Sequence, residues 1–491
     1  MHVCQLVMWL ALPLARAWLY SSGTDIISAT THLPVRLRCV NWYGAHMETF
    51  VAGGLDKRSC GEIAESIRGL GANCVRIPLS TQLVLQDPSP PASAITASEC
   101  NASTALQVLD CQVRELTRRG LMVILNNHNS FPGWVGANEK VPQGLWHTQS
   151  FPTAAWVASL SALAARYTSN PLVVGIDIRN EIHDQDGVVI TWGRSNNTDS
   201  DWKAATLLAD AAIREANPEV LVIVSGLCRA YDLRAMQDLD NYRAKYVFTT
   251  HVYIFSWWFT NVNWVAVLCL SLLFVAGNVG GVYCLKRNQC RYDQAFEYMD
   301  APRYKQWAYV LAGSVLIPVY LVVVSLVWMQ QANEAGCSSI AADAHVTLYV
   351  GMTGLVAVSC GFYVLATHEN VMCWGMLGTC LCWSNAALGV VQAGLSVFYQ
   401  TYGAVLWDLR RWYSKSIPVW VGEFGAKVGD TSVAWGWLLT YVARMHYAYW
   451  PLNGCARRLE WLESLHVDTY GILECDWVTV RNPNWTASVF P

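Results

Sequence analysis

Short apolar, β-branched runs alternate with amphipathic stretches along most of this chain, and no other feature narrows its fold as far. Val35 to Gly44, Cys74 to Pro78, Leu121 to Leu125, Val173 to Ile178, Val220 to Val224 and Tyr246 to Thr250 read as strands of a buried parallel sheet. Between them, Ser59 to Leu70, Thr104 to Arg119, Ala154 to Tyr167 and Asp201 to Ala216 carry helical periodicity, the first two stopped by Gly71 and Gly120. After an interruption the pattern resumes. A helix over Tyr402 to Ser414, a strand over Ile417 to Gly425, a helix over Thr431 to His446, a strand over Tyr447 to Gly454 and a helix over Arg457 to Leu465 precede an irregular tail. Strands alternating with helices at this spacing are repeated βα units. Eight such units predict an α/β chain closed into a (β/α)₈ TIM barrel.

The interruption has a different character. Val262 to Leu285, Trp307 to Trp328, Val346 to Ala366 and Val371 to Tyr399 are almost free of charge. Each is near or above the roughly 20 residues that cross a bilayer. The whole chain is 53% hydrophobic and only 14% charged, too oily for a purely soluble protein. The sequence therefore predicts an all-α four-span transmembrane insertion over 257–400, between strand 6 and helix 6 of a barrel formed by 18–256 and 401–491. Gly277 and Gly281 in the first span suit close helix contact. The connection after that span carries Lys286, Arg287, Arg291, Arg303 and Lys305, whereas Met329 to His345 has no Lys or Arg. Positive charge stays inside, so the first connection is expected in the cytosol and the second outside.

The N-terminus agrees with that topology. Val3 to Leu14 is a short apolar core, and Ala15-Arg16-Ala17 has the form of a cleavage site, so 1–17 reads as a signal peptide. Three glycosylation sequons begin at Asn101, Asn196 and Asn484, all outside the apolar segments. A multi-pass protein of the secretory pathway or plasma membrane is expected, with the barrel on the extracellular or lumenal side. Of the 17 cysteines, Cys39 and Cys74 fall in strands and read as buried thiols. Cys100 with Cys111, and Cys455 with Cys475, are the short-loop disulfide candidates. A net charge of −3 gives no sign of a nucleic-acid partner.

Two of the strands end in the same way. Val173 to Ile178 runs into Arg179-Asn180-Glu181, and Ile417 to Gly422 runs into Glu423-Phe424-Gly425. Strand C-termini are where a barrel keeps its chemistry. Two glutamates there are what glycoside hydrolysis needs, one as acid and one as nucleophile or base.

With these residues in place the chain resembles the cellulase family, glycoside hydrolase family 5. Arg76, His128, Asn180-Glu181, His251-x-Tyr253, Glu423 and Trp450 fall in the family's order on successive strand ends, and Val40-Asn41-Trp42-Tyr43-Gly44 resembles its first-strand motif. One position departs: Ile182 stands where the family usually has proline. The resemblance implies that Glu181 is the general acid/base and Glu423 the nucleophile, about 5–5.5 Å apart, with net retention of configuration. Arg76 is expected to keep Glu423 ionised, Tyr253 to hydrogen-bond it, and Asn180 to reach the sugar 2-hydroxyl. His128 and His251 would contact hydroxyls or orient the acid, and Trp450 would floor a sugar ring. Trp42, Trp134, Trp146 and Trp192 are open between outer subsites and packing. Such hydrolysis needs no metal or cofactor, and His183, Asp184 and Asp186 read as loop polars.

Three functions follow. The first is a membrane-anchored, endoglucanase-like hydrolase of a β-glucan or related β-linked polysaccharide or oligosaccharide. The second is an endoglycosylceramidase-like hydrolase of membrane glycolipids. The third is a non-catalytic carbohydrate-binding membrane protein, against which the intact glutamate pair argues. From Tyr253 to Val262 the chain reaches at most roughly 30 Å, so the catalytic rim is expected close to the bilayer.

Overall fold

A computed structural model describes residues 18–135, 143–236, 239–240, 244–253, 337, 417–456 and 466–491. The signal segment, the four apolar stretches and the helices expected over Tyr402 to Ser414 and Arg457 to Leu465 lie outside the described residues. Among the described residues, no helix is long and apolar enough to cross a membrane.

A hairpin of β1 (Leu19–Ser22) and β2 (Asp25–Ser28), which the sequence pattern did not announce, opens the chain. The barrel strands are β3 (Arg38–Asn41), β4 (Cys74–Ser80), β5 (Met122–Asn129), β6 (Val173–Asp177), β7 (Leu221–Ser225), β8 (Tyr246–Tyr253), β9 (Val419–Gly425) and β10 (His446–Tyr449). They pair in parallel and close in the order β10-β3-β4-β5-β6-β7-β8-β9. β4 to β10 are buried along their whole length, as a parallel sheet covered on both faces requires. Leu37, Cys39, Ile124, Val174, Ile223, Val247 and Trp420 form one core cluster, to which the hairpin adds Leu19 and Ile26.

The outer helices are α1 (Cys60–Gly69), α2 (Thr81–Gln86), α3 (Ala105–Arg118), α4 (Thr153–Arg166) and α5 (Trp202–Ala216). Their starts have local causes. Ser59 caps α1 and Glu62 answers its backbone, a complete capping box, while Thr104 and Asp201 cap α3 and α5. α1 buries Ile63, Ala64 and Ile67, one face at helical spacing. A further helix, Val433–Val442, lies between β9 and β10. The tail is more regular than expected: it contains a short antiparallel pair, Cys455–Ala456 with His466–Val467, and a closing helix, Pro483–Val489.

Both short-loop disulfides form, Cys100–Cys111 and Cys455–Cys475. Cys39 and Cys74 correct the sequence reading. They are buried, but joined as a disulfide, because barrel closure puts them in register on neighbouring β3 and β4. The acceptor asparagines Asn101, Asn196 and Asn484 are all exposed.

Candidate active site

Arg76, in β4, is fully buried at the centre of the strand ends, where an isolated charge would be prohibitive. Its guanidinium is therefore saturated. Nη1 donates to Glu423 Oε1 at 2.6 Å and to Asn41 Oδ1 at 3.0 Å, and Nη2 donates to Asn180 Oδ1 at 2.9 Å. Nε and Nη2 meet Asp177 Oδ2 at 2.9 and 2.8 Å. The second oxygen of Glu423 accepts from Tyr253 Oη at 2.8 Å. Both oxygens of this carboxylate are thus fixed by donors.

A backbone irregularity aims Glu423. Opposite β8, Thr250 pairs with Val421 but His251 pairs with Glu423, so Gly422 is an extra residue on β9. Such a bulge re-aims the next side chain. A Cβ on Gly422 would collide with Thr249 Oγ1 and lie 3.2 Å from His251 Nε2, so only glycine lets β9 approach β8 here.

Glu181 follows β6 and keeps 18% of its side chain exposed, against 5% for Glu423. Its Oε1 is 2.9 Å from His251 Nδ1, which also lies 3.7 Å from Glu423 Oε2. Burial lowers the His251 imidazole to about 4, so it is neutral at ordinary pH and Nδ1–H donates to the carboxyl oxygen. Burial raises the Glu181 carboxyl above its ordinary value, opposed by Arg229 and Arg76. One atom each of Glu181, His251 and Glu423 lie within 4.8 Å of one another. The two carboxylates therefore converge on one point at the strand ends.

Arg229 was not visible in the sequence. It sits in a left-handed turn, with Cys228, Arg229 and Ala230 at φ of 52, 55 and 65°, a strained backbone for non-glycine residues. The turn is held by Arg229 N donating to Ile182 O at 2.7 Å, so the residue that replaces the family proline anchors it. Arg229 Nη2 lies 2.9 Å from His183 Nε2, and His183 Nδ1 lies 2.8 Å from Glu181 O. His183 lies on the loop, but it is buried and links Arg229 to the Glu181 backbone. Replacing Arg229 with Gln removes a cation that opposes protonation of Glu181. The carboxyl then holds its proton to higher pH, and the basic limb of kcat/KM is expected to move up by a few tenths of a pH unit. A pH–rate profile measures it.

Asn180 and His128 are joined beside Arg76. Arg76 fixes the Asn180 oxygen, which turns the Asn180 Nδ2 toward His128 Nε2 at 3.4 Å, while His128 Nδ1 contacts Asn126 Oδ1 at 2.8 Å. These partners assign a neutral Nδ1–H imidazole, and burial lowers its basicity further. His46, also missed from sequence, is fully buried, with its ring centroid 4.4 Å from that of His128. Trp450 follows β10 and stacks at 5.7 Å on His128 and at 5.3 Å on Tyr43, with Trp134 edge-on at 6.3 Å. Trp134 is half-buried beside this surface. Trp42 and Trp146 are core: both are fully buried and donate to the backbone oxygens of Gly53 and Thr198. Trp192 is buried as well.

Among the described residues, two donor sets could ligate a cation. Glu181, His251 and Glu423 serve one another and Arg76. The other cluster among the described residues, Cys60, Glu99, Cys100 and Cys111, contains a disulfide. Its Glu99 accepts from the Cys60 and Gly61 amides at 2.8 Å each.

A closed (β/α)₈ barrel with two carboxylates converging at its strand ends defines a glycosidase class of site. The family model of cellulase (glycosyl hydrolase family 5) matches residues 40–290, just over half of the chain, which therefore belongs to that family. The chain is 31% identical over 189 residues to an endoglucanase of Paenibacillus polymyxa, covering 38% of this chain and 45% of the relative. It is 32% identical over 194 residues to the major extracellular endoglucanase of Xanthomonas campestris, covering 39% and 38%. It thus spans less than half the length of these relatives. Among solved structures, the catalytic domain of the Xanthomonas campestris enzyme aligns at TM-score 0.55 and 19% identity, covering 96% of this chain and 99% of that one. The Pyrococcus horikoshii endocellulase aligns at TM-score 0.57 and 19% identity, covering 96% and 98%. These two establish likeness of fold.

Proposed function

We propose that the chain is a retaining endo-hydrolase of a β-glucan. Glu423 attacks the anomeric carbon, while Glu181 protonates the leaving oxygen and later activates water. The observation that carries this reading is the pair itself: one oxygen of each carboxylate within 4.8 Å, held in different environments. Glu423 is gripped by Arg76 and Tyr253. Glu181 is raised by burial, which favours the acid. Separating two carboxyl groups in this way is how one site runs nucleophile and acid together. Asn180 meets the sugar 2-hydroxyl, and Trp450 floors the ring. The substrate class is supported by relatives named endoglucanases and by the Pyrococcus horikoshii endocellulase, solved in complex with cellotetraose. The first product of cellotetraose cleavage is expected with the β configuration by proton NMR; an α product would overturn the assignment of Glu423.

The four charge-free apolar stretches support a second part of the reading, that the barrel is tethered to a bilayer with its strand ends close to the surface. A glycolipid headgroup, or a glucan chain at the membrane, then becomes a reachable substrate. Expressed whole, the chain is expected in the membrane pellet after an alkaline wash. It should hydrolyse glycosylceramide in vesicles faster than a variant in which a short loop replaces 257–400. Release into the wash overturns the tether, and equal rates overturn the membrane substrate.

A further inference from the structure

Arg76 carries one charge and has two carboxylate partners. Asp177 Oδ2 lies 2.8 Å from Nη2, and Glu423 Oε1 lies 2.6 Å from Nη1. The three side chains are 0, 0 and 5% exposed, so solvent neutralises none of them. Asp177 ends β6 and is fully buried behind Arg76. Before reaction, one guanidinium faces two anions. In the first step Glu423 bonds to the anomeric carbon, the glycosidic C–O bond breaks, and its oxygen takes the proton of Glu181. Glu423 is then an uncharged ester, and the negative charge resides on Glu181. Arg76 stays protonated and has lost the charge of one partner. A buried guanidinium with no carboxylate is strongly destabilised. We propose that Asp177 is a positioning residue that holds the charge of Arg76 once the nucleophile is spent, so that the glycosyl-enzyme forms without an unpaired buried cation. The inference rests on Glu423 being the nucleophile.

Burial outweighs the pull of Arg76 and leaves the Asp177 carboxyl at about 6, so the group is mostly charged above that pH. The charged and titratable groups around the pair are Arg76 from β4, His128 from β5, Glu181 beyond β6, His251 and Tyr253 from β8, and His46 beyond β3. All are retained in Asp177→Asn. The whole chain is treated with 2,4-dinitrophenyl 2-deoxy-2-fluoro-β-cellobioside, whose leaving group needs no proton, and the covalent adduct is followed by mass spectrometry. Asp177→Asn is expected to slow labelling on the order of 10²-fold. It is also expected to shift the acidic limb of the labelling rate to lower pH, because the undivided charge of Arg76 then falls on the Glu423 anion. If Asp177 only propped Arg76 in place, its loss would free the guanidinium from Glu423 and shift that limb upward. An upward shift, or labelling at the wild-type rate, overturns the inference. Should Asp177→Asn fail to fold, Arg76→Gln is compared with Arg76→Gln/Asp177→Asn. Equal labelling rates support the inference, and a further loss overturns it. A wild-type chain that takes no label overturns the nucleophile assignment itself, a distinguishable result.

Discussion

Glu423→Ala is expected to lose glycoside hydrolysis by on the order of 10⁴-fold or more while the barrel stays folded. The loss is large because nothing beside Glu423 can take its place as nucleophile: Glu181 answers His251, and Asp177 is fully buried. The fold survives because removing this anion leaves Arg76 paired with Asp177, which neutralises it. The variant keeps Arg76 Nη1 and Tyr253 Oη, the donors that held the carboxylate, to receive a small anion. Added azide is therefore expected to restore turnover of an aryl glycoside and to yield the α-glycosyl azide. Kinetics, thermal melting and NMR of the azide product check the three statements. More than about one hundredth of wild-type activity without azide would remove Glu423 from the chemistry.

Much of this site is legible in the sequence because a parallel barrel writes itself in long apolar runs. Glu181 and Glu423 stand out as carboxylates that close such runs. The caps Ser59, Thr104 and Asp201 locate helix starts for the same reason, each being a local signal. What escaped depends on closure. Asp177 lies inside the run Val173 to Ile178 and acquires meaning only when Arg76, 101 residues earlier, is folded against it. Cys39 and Cys74 looked like two core thiols until strand register paired them. His183 and Arg229 owe their contact to a left-handed turn that no propensity predicts, since its residues are Cys, Arg and Ala.

The departure at Ile182 fits the same logic. A proline there would restrict the residue before it, which is Glu181. In this chain Ile182 is fully buried, and its carbonyl receives the amide of Arg229. The loop after the acid is held by packing and a hydrogen bond to the next strand's turn instead of by a ring. The cation that comes with that turn is one of the two that oppose protonation of Glu181.

Removing the cation of the central network is expected to do more harm to the fold than removing Glu423. Arg76→Gln leaves Asp177 and Glu423 both buried with no counter-charge, and breaking a buried pair on one side typically destabilises by roughly 3–5 kcal/mol. The two carboxyls respond by holding protons that they would shed in the unfolded chain. Between the unfolded and folded titration ranges the native variant then binds more protons than the unfolded one, so its stability falls as pH rises. The deficit against wild type should therefore be small near pH 4, where unfolded carboxylates also begin to protonate, and largest at neutral pH and above. Urea unfolding of both chains from pH 4 to pH 8 measures the difference. A deficit independent of pH would mean that Arg76 stabilises the barrel through its contacts with Asn41, Asn180 and the Trp420 ring rather than through its charge.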